Sequence, residues 1–167
     1  MQNLLNTKGS MWRKWDLHIH SPESILHNEY EGDWEGYLEA LENLSDISVI
    51  GITDYYSLDG FKRINQEREK GKLSNIDLVI PNIELRLDKT TSRCRSINIH
   101  ILFDPILEPE IIEEYFLNEL EFNYQDTSYK CSRKDLINLG KLFCQGEYSE
   151  KQALKAGMKQ YKVSIEM

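Results

Sequence analysis

Cysteine is scarce in this chain, and its few copies are poorly placed for covalent or metal work. The three cysteines among 167 residues, Cys94, Cys131 and Cys144, are far apart and form no Cys-x-x-Cys pair. That spacing suggests neither a disulfide framework nor a thiolate zinc site, and reduced cytosolic thiols are the plain expectation. Positive charge is also in deficit, with 20 Lys and Arg against 28 Asp and Glu and a net charge of −8. A generic basic surface for nucleic acid is therefore not indicated. A phosphate substrate remains open, because a bound metal ion can supply positive charge locally. No apolar run reaches membrane-spanning length, and residues 1–10 lack the apolar core of a signal peptide. Internal repeats and low-complexity segments are absent as well. The expectation is a soluble, cytoplasmic protein without membrane contact. Its length suffices for one core, divided into an arm over 1–11 and a single domain over 12–167.

The chain has only four histidines, and two of them fall in Asp16-Leu17-His18-Ile19-His20. In an extended strand, alternate side chains share a face. Asp16, His18 and His20 are thus expected on one face, with Trp15, Leu17 and Ile19 packing on the other. Two imidazoles at that spacing can chelate one cation, and a neighbouring carboxylate can join or orient them. The strand is expected over 15–20, ended by Ser21-Pro22. A polar loop with His27 follows, where such sites are commonly completed.

Asp33 is a good N-cap for a helix over 34–45, whose stripe is Trp34, Tyr37, Leu38, Leu41 and Leu44. Residues 47–54 are β-branched and almost continuously apolar, as in a parallel strand buried on both faces, and end at Asp54. Ser57 can cap a helix over 58–69 with Phe61 and Ile64 inward, stopped by Gly71. A third strand is expected over 77–87, bulged or irregular at Pro81, with Asn82, Glu84 and Arg86 on one face. A basic loop over 89–96 leads to a fourth strand over 97–103 that sets His100 opposite an isoleucine face. The remainder reads as helical: 110–121, a segment opened by Ser132 with Asp135 as a capping-box pair, and 149–161. The outer face of that last helix carries Lys151, Lys155, Lys159 and Lys162, read as solvated.

Alternation of strand and helix implies an α/β fold with a largely parallel sheet, in which sites collect at the carboxyl ends of strands. His18, His20, Asp54, Glu84 and His100 all fall on strands or their ends. Buried carboxylates need partners, and a shared metal ion is an economical one.

These residues resemble the PHP (polymerase and histidinol phosphatase) superfamily of metal-dependent phosphoesterases. The likeness rests on Asp16-Leu17-His18-Ile19-His20-Ser21, Gly51-Ile52-Thr53-Asp54, Asn82-Ile83-Glu84 and His100, and covers residues 9–104. Gly9-Ser10-x-Trp12 and the run from Gly51 to Gly60 resemble the subgroup in which such a domain precedes an ATPase domain (TrlF-like proteins). The resemblance implies a distorted (β/α)7 barrel, here partial, with a helical C-terminal part and one to three zinc, manganese or iron ions. It also implies His18, His20, Asp54 and His100 as ligand positions, Glu84 as a bridging carboxylate and Asp16 behind the imidazoles. Asp54 and Arg86 become candidates for catalysis, Arg86 by stabilising charged phosphoryl oxygens. The implied substrate is a phosphate ester, plausibly a nucleotide or nucleic acid, attacked by metal-activated water. Two features depart from the family pattern. Tyr55 stands where the second motif has histidine, and no Asp-x-His pair follows His100; His27 is a candidate replacement ligand. A piece of a longer protein, or a truncated one, is therefore expected. Its exposed strand edges would be compensated by the C-terminal helices, by homo-oligomerisation or by marginal stability. The alternative is a catalytically incomplete binding or regulatory module that partners an ATPase.

Overall fold

The computed structural model describes residues 12–164, so the expected arm over 1–11 lies outside the described residues. Twelve elements follow in order: β1 (Lys14–Ile19), α1 (Trp34–Glu42), β2 (Ile47–Tyr55), α2 (Asp59–Glu69), β3 (Leu78–Thr90), β4 (Ser96–Leu102), α3 (Pro109–Tyr115), a 3-10 turn (Leu117–Glu119), β5 (Glu121–Tyr124), β6 (Thr127–Lys130), α4 (Arg133–Lys141) and α5 (Glu150–Gln160). The fold is mixed α/β. One four-stranded sheet has the order β1-β2-β3-β4. Strands β1, β2 and β3 run parallel, as two successive β-α-β units. Strand β4 is antiparallel to β3, returning through the tight turn at 91–95. The sheet is thus mostly rather than wholly parallel, and β4 reaches the site from the opposite direction to the other three strands.

Local chemistry accounts for the helix ends. Asp33 Oδ1 accepts from Gly36 N at 3.0 Å and starts α1. Helix α2 begins at Asp59, one residue later than expected, because Ser57 Oγ and Asp54 Oδ2 accept from Asp59 N and Gly60 N. Gly71, at φ +89°, takes the left-handed position that ends it. Ser149 and Gln152 form a complete capping box on α5. Ser132 caps α4 by accepting from Asp135 N, but Asp135 turns its carboxylate to Lys130 N instead of completing the box.

Of the expected core stripes, Tyr37, Leu38 and Leu41 of α1 and Phe61 and Ile64 of α2 are buried, while Trp34 and Leu44 are half-buried; Leu154, Met158 and Tyr161 at the C-terminal end and Ile50, Ile52, Ile83 and Leu85 of the sheet are buried with them. Pro81 does not bulge β3. It pairs in register with Ile52, and its carbonyl accepts from Phe103 N. Its missing N–H leaves only the reciprocal bond to Phe103 O unmade, one residue past the end of β4. The helix expected over 110–121 stops at Tyr115, and residues 121–130 form a hairpin. Gln125 and Asp126 both adopt positive φ (47° and 59°), the two-residue turn that suits a hairpin's twist. The lysines of α5 are exposed, as read from the sequence.

The C-terminal part covers a sheet edge. Past the end of β2, Val163 pairs in parallel with Leu87, donating to Arg86 O at 2.7 Å and accepting from Asp88 N at 3.0 Å. Tyr161 is fully buried behind it, its hydroxyl donating to Leu120 O and its carbonyl accepting from Tyr56 Oη. No helix among the described residues is long and apolar enough to cross a membrane.

Helices α4 and α5 touch through backbone. A Cβ on Gly157 would run into the carbonyl of Leu136, and one on Gly140 into that of Ala153. Gly157→Val is expected to lower stability by about 3 kcal/mol, the upper range for overpacking, read as a shifted midpoint in urea unfolding.

Candidate metal centre

A one-residue irregularity in β1 builds the site. Asp16 pairs with Ile50 and Ile19 with Ile52, so three steps of β1 match two of β2. An odd step opposite an even one breaks the strict alternation. Asp16 falls on the face of Ile50 and Ile52, away from the two imidazoles, contrary to the expected shared face. Its carboxylate accepts the backbone N–H of His18 at 3.2 Å, and among the described residues it bonds neither imidazole ring. Trp15 does not pack either and stays 55% exposed.

The bulged backbone has a prepared seat. Leu17 O accepts from the buried side chains of Thr53 (3.1 Å) and Asn82 (2.6 Å). Gly51 allows the approach, since a Cβ there would stand 2.6 Å from the same oxygen. Gly51, Thr53 and Asn82 thus serve the site by shaping β1, a role invisible in the spacing of ligand-type residues.

All four strands then meet at Glu84. Tyr55 of β2 is its register partner on one side and His100 of β4 on the other. Glu84 Oε1 accepts from Tyr55 Oη at 2.7 Å and from Asn98 Nδ2 at 2.6 Å. Glu84 Oε2 faces Nε2 of His18 and Nε2 of His20, each at 3.5 Å, and those two nitrogens are 3.3 Å apart. The side chain of Glu84 is 4% exposed and that of His18 55%, so the cluster opens to solvent through His18. Among the described residues, four buried side-chain polar atoms lack a hydrogen-bond partner, and three of them belong here: Glu84 Oε2, His20 Nδ1 and Asn82 Oδ1. Orphaned atoms are costly, and here the orphan carboxylate oxygen converges with two imidazole nitrogens. His18, His20 and Glu84 can hold a metal ion, and their nitrogen and oxygen donors fit a borderline divalent cation.

Protonation states agree with that donor set. Burial lowers the His20 pKa, outweighing the raising effect of Glu84. Burial and then the neighbouring His18 lower that of His100. Burial, reinforced by Glu84, pushes the Tyr55 phenol up to about 12, so it remains a donor to the carboxylate. Tyr55 therefore fixes Glu84 and does not take a ligand position. It stacks on His20 with ring centres 5.6 Å apart, and Arg86 Cζ lies over the same ring, 5.3 Å from its centre.

The remaining sequence candidates sit differently. His100 lies beside the cluster, its ring centre 4.4 Å from that of His18, with Nδ1 3.2 Å from Asn82 Nδ2. His27, at φ +53°, brings its ring to 6.1 Å from His20. Asp54 stands apart from the convergent donors. Its buried carboxylate accepts from Ser21 N, Ser21 Oγ and Gly60 N. It thereby fastens the residue after His20 to the start of α2, and positions rather than contacts the site.

Tyr55→Phe is expected to weaken metal binding by about 10- to 100-fold, the usual cost of removing a partner behind a ligand, measured by competition against a metal indicator. Asp54 yields a stability prediction. Burial raises its folded pKa to about 6, above the 3.8 of an unperturbed carboxyl. The unfolded chain therefore ionises first as pH rises, and this residue's share of stability falls between those two values. Relative to Asp54→Asn, the wild type should lose about 2 kcal/mol between pH 4 and pH 7, at 1.36 kcal/mol per unit, the unfolded carboxyl being already partly ionised at pH 4, read by denaturant unfolding at each pH.

No family model, curated protein or solved structure matches the chain.

Proposed function

We propose that this chain is a metal-dependent phosphoesterase whose working ion is held by His18, His20 and Glu84. The observation that carries the reading is the divided carboxylate of Glu84: one oxygen saturated by Tyr55 and Asn98, the other buried, unpartnered and facing two imidazole nitrogens. The resemblance of the four motifs to the PHP superfamily supports it, as does the place of the cluster on a mostly parallel sheet. In this reading the sheet is part of a PHP-type barrel.

A divalent ion, zinc, manganese or iron, supplies Lewis acidity and brings water's acidity toward neutral pH. The residues do the rest. His18, His20 and Glu84 present two imidazole nitrogens and one carboxylate oxygen, with His100 adjacent. Tyr55 and Asn98 hold Glu84 in a single rotamer, so no reorganisation is needed at the moment of reaction. Arg86, anchored over Tyr55, offers a fixed positive charge for phosphoryl oxygens. Water adds to phosphorus, the ester P–O bond breaks, and the alcohol leaves with a proton. Asp54 acts through Ser21 by holding the loop that follows His20.

A second reading has its own support. With Glu84 Oε1 already taken by two donors, one oxygen remains, which suits one ion rather than a bridged pair. A one-ion module could bind without catalysing and serve an ATPase partner.

Elemental mass spectrometry after loading with manganese or zinc is expected to find one ion per chain, absent from the His18→Ala, His20→Ala double variant. Metal-dependent release of phosphate from p-nitrophenyl phosphate, lost in the same variant, is the expected activity. A bound ion with no hydrolysis would leave the binding module; no ion in the folded chain would overturn both readings.

A further inference from the structure

Helix α3 is apolar on both its inner and its outer side. Ile112 is buried, and Phe116 at the helix end meets Phe103 with ring centres 5.1 Å apart. Ile111 and Tyr115, one turn apart, share the outer face, and Tyr115 is 68% exposed. Leu107 and Ile106, in the turn leading into the helix, are exposed as well, Ile106 at 85%. Exposed apolar side chains gathered on one element mark an interaction surface. Carboxylates rim this one. Lys62 holds Glu110 and Glu113 at 3.4 and 2.7 Å. Glu108 and Glu114 are exposed, and neither is ion-paired among the described residues.

Such a face fits a partner that is apolar along its middle and cationic at its tips, and helix α5 has that chemistry. Lys151, Lys155 and Lys159 follow at four-residue steps, all exposed, and none is ion-paired among the described residues. Each lysine brings an aliphatic stem that covers apolar surface while its ammonium group stays in water. The row spans about 12 Å at 1.5 Å per residue, and its four-residue step is that of Leu107, Ile111 and Tyr115. Like charges at this spacing repel along an isolated helix, a cost that a partner's carboxylates would lift. On a chain of net charge −8, the row is a local exception. Within one chain the two outer faces do not meet. Glu113 lines a cavity of about 290 Å3 together with Leu154 and Met158, so α3 and α5 turn their inner sides toward each other. A nucleic acid or an anionic membrane would engage the lysines and leave the α3 row bare.

We propose that a second copy of this chain docks on the outer face of α3. Its α5 lysines lie along Leu107, Ile111 and Tyr115, with their ammonium groups on Glu108 and Glu114. The inference is independent of the metal centre.

Sedimentation velocity on the full chain tests it. The wild type is expected to self-associate, less strongly as salt rises from about 0.05 to about 0.5 M and screens the charges. Two charge reversals are compared: Lys151→Glu, Lys155→Glu, Lys159→Glu on α5, and Glu108→Lys, Glu114→Lys beside α3. Each alone should weaken association at least about tenfold, since it sets like charges against each other. An equimolar mixture of the two should associate again, because each reversed face then meets its complement. All five positions are exposed, and thermal unfolding checks the folds; the single pair Lys155→Glu and Glu114→Lys serves if a multiple variant does not fold. A wild type that stays monomeric at its highest soluble concentration would overturn the proposal. So would reversals that associate as the wild type does, or a mixture that stays monomeric. Binding of a monomeric wild type to phosphatidylserine vesicles or to single-stranded DNA, lost in the lysine reversal, would assign the lysines to that partner and overturn the proposal too.

Discussion

A carboxylate in the interior of a sheet must be neutralised, hydrogen-bonded or bound to a cation, and Glu84 is where this fold answers that requirement. Strand β2 sends Tyr55 and β4 sends Asn98 to the same oxygen, Oε1. Strand β1 brings two imidazole nitrogens to 3.5 Å from the other oxygen. Every strand of the main sheet therefore has a side chain at this one group. Removing any of them leaves a buried charge short of a partner, which is why the register of all four strands and the state of the site are the same problem.

The seat beneath the histidines follows from this constraint. A regular β1 would keep Asp16 and both imidazoles in one row. The extra residue between Asp16 and Ile19 turns Asp16 away and frees the Leu17 carbonyl, which Thr53 and Asn82 then take up. Gly51 makes the close approach sterically possible. On the far side, Asp54 ties Ser21 to the first turn of α2. The run from Gly51 to Asp54 thus serves both ends of the His-x-His segment, with alternate residues acting on opposite faces of β2.

Much of the plan was legible in the residues. Asp33, Gly71 and Ser149 marked helix boundaries because capping is local chemistry. The apolar run over 47–54 marked a buried strand, and His18, His20 and Glu84 were readable as ligand types. The hairpin over 121–130 was missed although Phe122 and Tyr124 alternate toward the core, since its Gln125-Asp126 turn carries no glycine to announce positive φ. The antiparallel return of β4 was missed because alternation of Ile97, Ile99 and Ile101 states a face and is silent on direction.

By itself the sequence determined the class of fold, the caps, the core stripes and the inventory of donors, all consequences of spacing within one element. Tertiary structure decided which donors converge. His18, His20 and Glu84 meet, His100 stands beside them, and Asp54 turns to Ser21 and Gly60. It also decided that Tyr55 holds a carboxylate instead of an ion. The physical reason is that convergence depends on register between strands, and one bulge, set by a carbonyl, a hydroxyl, an amide and the absence of a Cβ at Gly51, moves a whole row of side chains.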